Sequence, residues 1–280
     1  MTIEKLVALP RLTAIAERTE AENMIRLHEH APAHVKEALG MATARIGGGV
    51  ACSMRYDPTG GYWSKALGYG IDRPVDADLI AEIAEFYRKQ DSRQATLQIA
   101  PALLPADWDE IRRANAITGG GWWVKLLCEA DYFTPGRTDL RIAPVEPEQQ
   151  LDAAGLLMRG FGMPAADLVE MFAATSARDD ILAFAAWDGD KMVAVSSLFF
   201  YGDSAEFAGT ATLPEHRGRG AQSALLAARA AAAVERGVNW FVVETGRPDP
   251  GEVNHSYNNL LRSGFAPLYE RRNWIWKPAA

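Results

Sequence analysis

Cysteine is nearly absent: Cys52 and Cys128 are the only two in 280 residues. Two thiols cannot build a disulfide scaffold or a four-thiolate zinc site, and such residues are more often small buried hydrophobes. A basic excess is missing too. Lys and Arg total 29 against 36 Asp and Glu, a formal charge of −7, whereas binders of nucleic acid or anionic membranes show a basic patch or stripe. No apolar run approaches the ~20 residues needed to cross a bilayer. Met1 to Pro10 lacks the apolar core of a signal peptide. These absences predict a cytoplasmic protein with neither a nucleic-acid nor a membrane partner. Also missing are G-x-x-x-x-G-K-[ST], the three-glycine dinucleotide fingerprint and G-x-S-x-G. Nucleotide hydrolysis, dinucleotide binding and Ser-triad hydrolysis therefore lack support. His28, His30 and His34 cluster, but no Cys or paired carboxylate completes a metal site, so solvated surface is expected of them and no metal.

What is present is the balance of a folded globular chain, 48% apolar and 23% charged. Its length allows one large domain or two ordinary ones. Tyr132-Phe-Thr-Pro-Gly-Arg-Thr-Asp139 is rich in turn signals, and Pro144-Val-Glu-Pro147 follows it. We place a domain boundary near 134–140, giving domains 1–134 and 139–280. In the second, strands are predicted at Ile181 to Trp187, Lys191 to Tyr201 and Ala205 to Leu213, with turns at Trp187-Asp-Gly-Asp190 and Gly202-Asp-Ser204. A helix over about Gly220 to Arg236, a strand at Trp240 to Glu244, a helix over about Val253 to Arg262 and an aromatic strand at Leu268 to Trp276 complete it. The first half reads similarly. Strands are predicted at Arg45 to Arg55, Trp63 to Ile71, Ala95 to Ala100 and Trp122 to Cys128, and helices at Asp76 to Arg88 and Trp108 to Ala116. The halves read as divergent copies of one plan, the alternative being coincidence between two ordinary α+β patterns.

The segment richest in chemistry is Leu213-Pro-Glu-His-Arg-Gly-Arg-Gly-Ala-Gln-Ser-Ala-Leu-Leu226. A strand ends, an Arg/Gly loop follows and a long helix begins. Unpaired N–H groups at a helix start make an anion site. Glycines let backbone approach a phosphate closely, and Arg217 and Arg219 add positive charge. In isolation such a cluster would be a solvated loop capping a helix; between strand and helix it fits a pyrophosphate.

Arg217-Gly-Arg-Gly-Ala-Gln222 resembles the R/Q-x-x-G-x-G/A signature of the GNAT N-acetyltransferase superfamily. Thr212-Leu-Pro214, Ala224-Leu-Leu226 and Asn258-Asn-Leu-Leu-Arg-Ser-Gly-Phe265 resemble its flanks and its Gly-Phe ending. The resemblance covers roughly 139–280, and the first half resembles a degenerate copy. It implies an α/β (α+β) fold of two GNAT-like domains, each a mostly antiparallel mixed sheet flanked by helices. It further implies acetyl-CoA as co-substrate, its arm paired with backbone at Ala211, Thr212 and Leu213. The pyrophosphate would sit over Arg217, Gly218, Arg219, Gly220, Ala221, Gln222 and Ser223. Gln222 departs from the usual Gly or Ala, so its side chain must turn away from the phosphates or bond to them. Asn254 and Asn259 are candidates to bond the coenzyme arm; helix capping and polar packing are their alternatives.

The reaction this implies is transfer of acetyl to the amine of a small molecule by direct attack in a ternary complex. A homodimer stays open. The alternative is a non-catalytic acyl-CoA-binding protein. The Leu213 N–H is the family-like oxyanion donor. Glu206 is the first candidate base: with Ala208, Thr210 and Thr212 it shares one face of a two-residue period unless a bulge intervenes. Glu244 is the second. The family's usual tyrosine acid falls on Leu260, so Tyr257 on the same helix is the candidate, with His255, Ser256 and Tyr269 as further options. In the first half acidic residues such as Asp76 stand near the matching helix start, and no coenzyme is expected there.

Overall fold

The computed structural model describes residues 3–278. The chain divides into two compact units, Met1–Glu29 with Lys36–Lys125 and Leu268–Ala280, and His30–Val35 with Leu126–Pro267. Each is a mixed, mostly antiparallel sheet flanked by helices.

The first unit contains α1 (Ile3–Glu29), most of α2 (Ala33–Leu39), β1 (Met41–Ile46), β2 (Gly49–Met54), β3 (Lys65–Leu67), α3 (Ala77–Lys89), β4 (Ala95–Gln98) and α4 (Trp108–Ala114). It also takes the first part of β5 (Ile117–Glu129) and nearly all of β11 (Ala266–Trp276). The strand order is β1-β2-β3-β4-β11-β5, with β3 and β4 parallel and the other described pairings antiparallel. The terminal strand of the chain therefore pairs with β4, Trp274 facing Leu97.

Asp76 caps α3, its Oδ1 accepting from the Leu79 N–H at 2.7 Å. Leu79, Ile80, Ile83, Ala84 and Tyr87 recur at helical spacing and are buried against the sheet with Leu97, Trp274 and Trp276. Ala21 and Ile25 of α1 cover Val50, Cys52 and Leu67. Each such fully buried aliphatic side chain contributes about 1.5–3 kcal/mol. On the same helix Glu17 and Glu20 are buried with Arg271, Lys125 and Tyr269. Both Glu17 oxygens lie 2.8 Å from Arg271 Nη1, and Lys125 Nζ donates to Glu20 Oε2 at 2.6 Å.

Two expected strands are corrected. Arg45 to Arg55 is not one strand: Gly47-Gly48 forms a two-residue turn, and β1 and β2 are the arms of a hairpin with Ile46 facing Gly49. Trp63 to Ile71 shrinks to the three residues of β3. The long α1 was not anticipated.

The second unit contains β6 (Arg141–Pro144), α5 (Gln150–Gly160), α6 (Ala166–Thr175), β7 (Ile181–Asp188), β8 (Lys191–Tyr201), β9 (Ser204–Thr212), α7 (Ala221–Glu235), β10 (Trp240–Gly246) and α8 (His255–Arg262). Its order is β6-β7-β8-β9-β10 with the end of β5 beside β10, antiparallel from β6 to β9 and parallel between β9 and β10. α7 crosses over between the parallel pair, as α3 does between β3 and β4. Small residues let α7 lie close to the sheet, with Ala221 and Leu225 packed among Phe184, Ala186, Val193 and Ala194. Phe207, Phe241 and Phe265 meet edge-on or tilted, with centroids 5.0 and 5.5 Å from Phe207. Among the described residues no helix is long and apolar enough to cross a membrane.

Candidate active site

The parallel pairing of β9 with β10 stops at Glu206 and Val242. Just beyond, Ser196 faces Thr210 while Ser197 faces Ala208, so Gly209 is the extra residue of a β-bulge. Its φ is +43°, and a Cβ there would meet Leu157 Cδ2 at 3.1 Å. After the bulge β9 stays paired to β8 but has left β10. A cleft of about 950 Å³ opens where the strands part. It is bounded by Thr210, Ala211 and Thr212 on β9 and by Gly246 at the end of β10. The starts of α7 and α8 close it.

The start of α7 is built to hold an anion. Gly220 is the N-cap with φ +77°, and no side chain caps the helix. A Cβ on Gly220 would run into the Arg137 carbonyl. The first N–H groups of a helix have no partner within it, so those of Ala221, Gln222 and Ser223, all lining the cleft, remain for a ligand. α3 and α8 differ: Asp76 and Asn254 carry side-chain caps there.

The two loop arginines part company. Arg217 lines the cleft. Arg219 does not: its guanidinium donates to Asp139 Oδ2 at 2.5 Å and to Asp188 Oδ2 at 2.6 Å. Its charged form is favoured by both bonds, and both carboxyls are held below their usual range by Arg219. Thr138 Oγ1 also donates to the Arg219 carbonyl at 2.6 Å. Arg219 thus fixes the loop instead of facing a ligand.

The side chain of Gln222 turns to α8. Its Nε2 donates to Ser256 Oγ at 2.9 Å and its Oε1 accepts from Asn259 Nδ2 at 2.5 Å. Arg262 in turn donates to Asn259 Oδ1. Asn254 is a cap: Oδ1 accepts from the Tyr257 N–H, and Nδ2 donates to the Gly246 carbonyl at 2.7 Å. Gln222, Asn254 and Asn259 all line the cleft.

The expected chemical groups are dispersed. The Leu213 N–H is already given to the Val193 carbonyl at 2.9 Å, which corrects its reading as a free oxyanion donor. Successive N–H groups along a strand point to opposite edges, so that of Thr212 faces away from β8 towards the cleft. The bulge separates Glu206 from the face of Thr210 and Thr212. Glu206 is 8% exposed and lies outside the cleft lining, as do Glu244 and Tyr257. Tyr269 belongs to the first unit and bonds to Glu17. His255 and Ser256 are in the lining.

Residues 156–253 match the model of the Acetyltransferase (GNAT) family. The chain carries a GNAT domain. Solved structures agree in fold. A GCN5-related N-acetyltransferase from Kribbella flavida matches with a TM-score of 0.63 and 15% identity, over 97% of this chain and 96% of its own. A tandem GNAT protein from the clavulanic acid biosynthesis pathway matches at 0.58 and 16%, over 97% and 95%. A GNAT-family protein from Novosphingobium aromaticivorans matches at 0.53 and 16%, over 84% and 91%. No curated protein matches the chain significantly.

The cleft of the GNAT domain also holds residues that the sequence reading passed over: His216, Arg247, Glu252 and Arg262, with Gly160 at the end of α5. Glu252 is the one carboxylate in the described lining. The available signal was positional, since loops after strand carboxyl ends line the crevice in sheets of this kind.

Proposed function

We propose that the protein is an acyl-CoA-dependent N-acyltransferase, moving acetyl from acetyl-CoA to an amine of a small molecule by direct attack in a ternary complex. The uncapped start of α7, opening on the unpaired edge of β9, carries this reading. The residues present fit the coenzyme's two chemistries. Three helix N–H groups and Arg217 suit a pyrophosphate. The free edge at Thr210 and Thr212, whose backbone groups face away from β8, suits the amides of an extended arm.

In this reading the Thr212 N–H donates to the thioester carbonyl oxygen as negative charge develops on it. The amine nitrogen attacks the carbonyl carbon, the C–S bond breaks, and the thiolate leaves. A thiol pKa of about 8.5 means that it leaves with little help from an acid. The amine must be neutral to attack. We assign that proton to Glu252, the one carboxylate in the described lining, with the His255 imidazole as its neighbour in sequence. Glu206 and Tyr257 would act only through an intervening group. The first unit is assigned no coenzyme, since the Asp76 carboxylate already occupies the start of α3.

A second reading, a non-catalytic acyl-CoA binder, is favoured by two placements. Glu206 stands outside the cleft, and Leu260 is buried where family members carry the acid tyrosine. Calorimetric titration with acetyl-CoA, followed by an amine panel read as free thiol, separates the two. Thiol release that saturates with an amine supports transfer. Binding without thiol release across the panel selects the second reading, and absence of binding overturns both.

A further inference from the structure

Arg229, in the middle of α7, is 1% exposed, and none of its described partners is a carboxylate. Burial pushes it down to about 9, so it stays cationic at neutral pH. An unpaired buried cation is strongly disfavoured unless its donors are satisfied. Here they are satisfied at the bulge. Nη1 donates to the carbonyls of Ser197 at 3.0 Å and Ala208 at 3.3 Å, the pair immediately before the extra residue. Nη2 donates to Thr210 Oγ1 at 3.1 Å, the residue immediately after it. Nε returns to the Leu225 carbonyl at 3.2 Å, and the guanidinium lies 4.8 Å from the Phe207 ring centroid. The guanidinium thus spans the distortion that turns β9 into the cleft wall.

Guanidinium can only donate, so the Thr210 hydroxyl must accept from it. Its own proton is then left for another acceptor, and no described protein group takes it. Hydrogen bonds in a chain polarise one another, so a hydroxyl that accepts from a cation is the stronger donor. Thr210 lines the cleft. We propose that Arg229 sets Thr210 as a hydroxyl donor into the cleft, for a carbonyl oxygen on the arm of the acyl donor. Arg229 is a positioning residue and Thr210 the group that touches the ligand. The inference rests on the coenzyme reading above.

The test is calorimetry with two probes. Coenzyme A has the arm, and adenosine 3′,5′-bisphosphate carries phosphates without it. Thr210→Val is expected to weaken coenzyme A about tenfold, the usual scale for a lost hydrogen bond in a charged chain, and to leave the bisphosphate unchanged. Thr210→Ser, which keeps the hydroxyl, should restore most of the affinity. Arg229→Lys keeps the charge but loses the fork; it should weaken coenzyme A, and adding Thr210→Val should then cost little more. A merely structural role would weaken both probes together, and that result overturns the proposal. So does coenzyme A binding to Thr210→Val within twofold of the unaltered protein. If the unaltered protein fails to bind coenzyme A, the coenzyme reading falls and takes this inference with it. If Arg229→Lys does not fold, the two Thr210 variants and two probes still decide.

Discussion

Gln222 Nε2 donates to Ser256 Oγ at 2.9 Å, joining the first turn of α7 to the first turn of α8. The side chain at this position is therefore spent on the cleft wall, and the backbone N–H groups beside it stay open. Gln222→Ala should lower stability by about 1 kcal/mol, the net worth of such a bond, a fall of about 2–4 °C in Tm. Acetyl-CoA affinity should change less than threefold. A thermal melt and a titration on the same variant check both.

The separation of the loop arginines gives a second expectation. Arg217 faces the cleft and Arg219 is tied to Asp139 and Asp188. Arg217→Ala should weaken coenzyme A roughly tenfold, as loss of a charged hydrogen bond does, and should reduce the dependence of affinity on salt. Arg219→Ala should weaken it far less. Equal losses in the two variants, measured at two ionic strengths, would refute the division of roles.

His28 in α1 is 1% exposed, which corrects its reading as solvated surface, and its Nδ1 lies 3.0 Å from the Met24 carbonyl. Burial lowers it from the usual 6.5 to about 4. Below pH 6.5 the unfolded chain binds a proton that the folded chain refuses until about pH 4. Stability is therefore whole above pH 6.5 and lost progressively as pH falls through that window, by at most on the order of 3 kcal/mol. Urea unfolding at pH 7 and pH 4.5 measures the loss. His28→Gln should shrink the difference.

Arg271 is the bidentate partner of both Glu17 and Glu20 in the core of the first unit. Arg271→Met should destabilise by about 3–5 kcal/mol, because it takes the guanidinium away from two buried carboxylates. A shift of the urea midpoint at constant slope is the readout.

The second unit was the more legible. Ile181 to Trp187 is a compact apolar run, and Trp187-Asp-Gly-Asp190 and Gly202-Asp-Ser204 mark tight turns, so β7, β8 and β9 fall where expected. The start of α7 was legible because glycine and arginine between strand and helix leave few alternatives. Other features depended on tertiary partners. α1 buries charged residues, so its apolar stripe is broken at Glu17 and Glu20. α5 and α6 lack strong stop and start signals beyond Gly160 to Pro164. The engagement of Arg219 needed Asp139 and Asp188, 80 and 31 residues away. Glu206 lost its place beside Thr210 through one extra residue, Gly209, whose effect on register no local pattern reveals.

The pairing of β4 with β11 bears on how the protein is made. On the ribosome, the first unit must wait for Leu268 to Trp276 before Leu97 meets Trp274. Until then β4 offers a bare edge to whatever strand comes near, a recognised route to aggregation. Early release of the nascent chain is thus more hazardous to this protein than its N-terminal position alone suggests. A chaperone that shields β4 during translation would raise its yield.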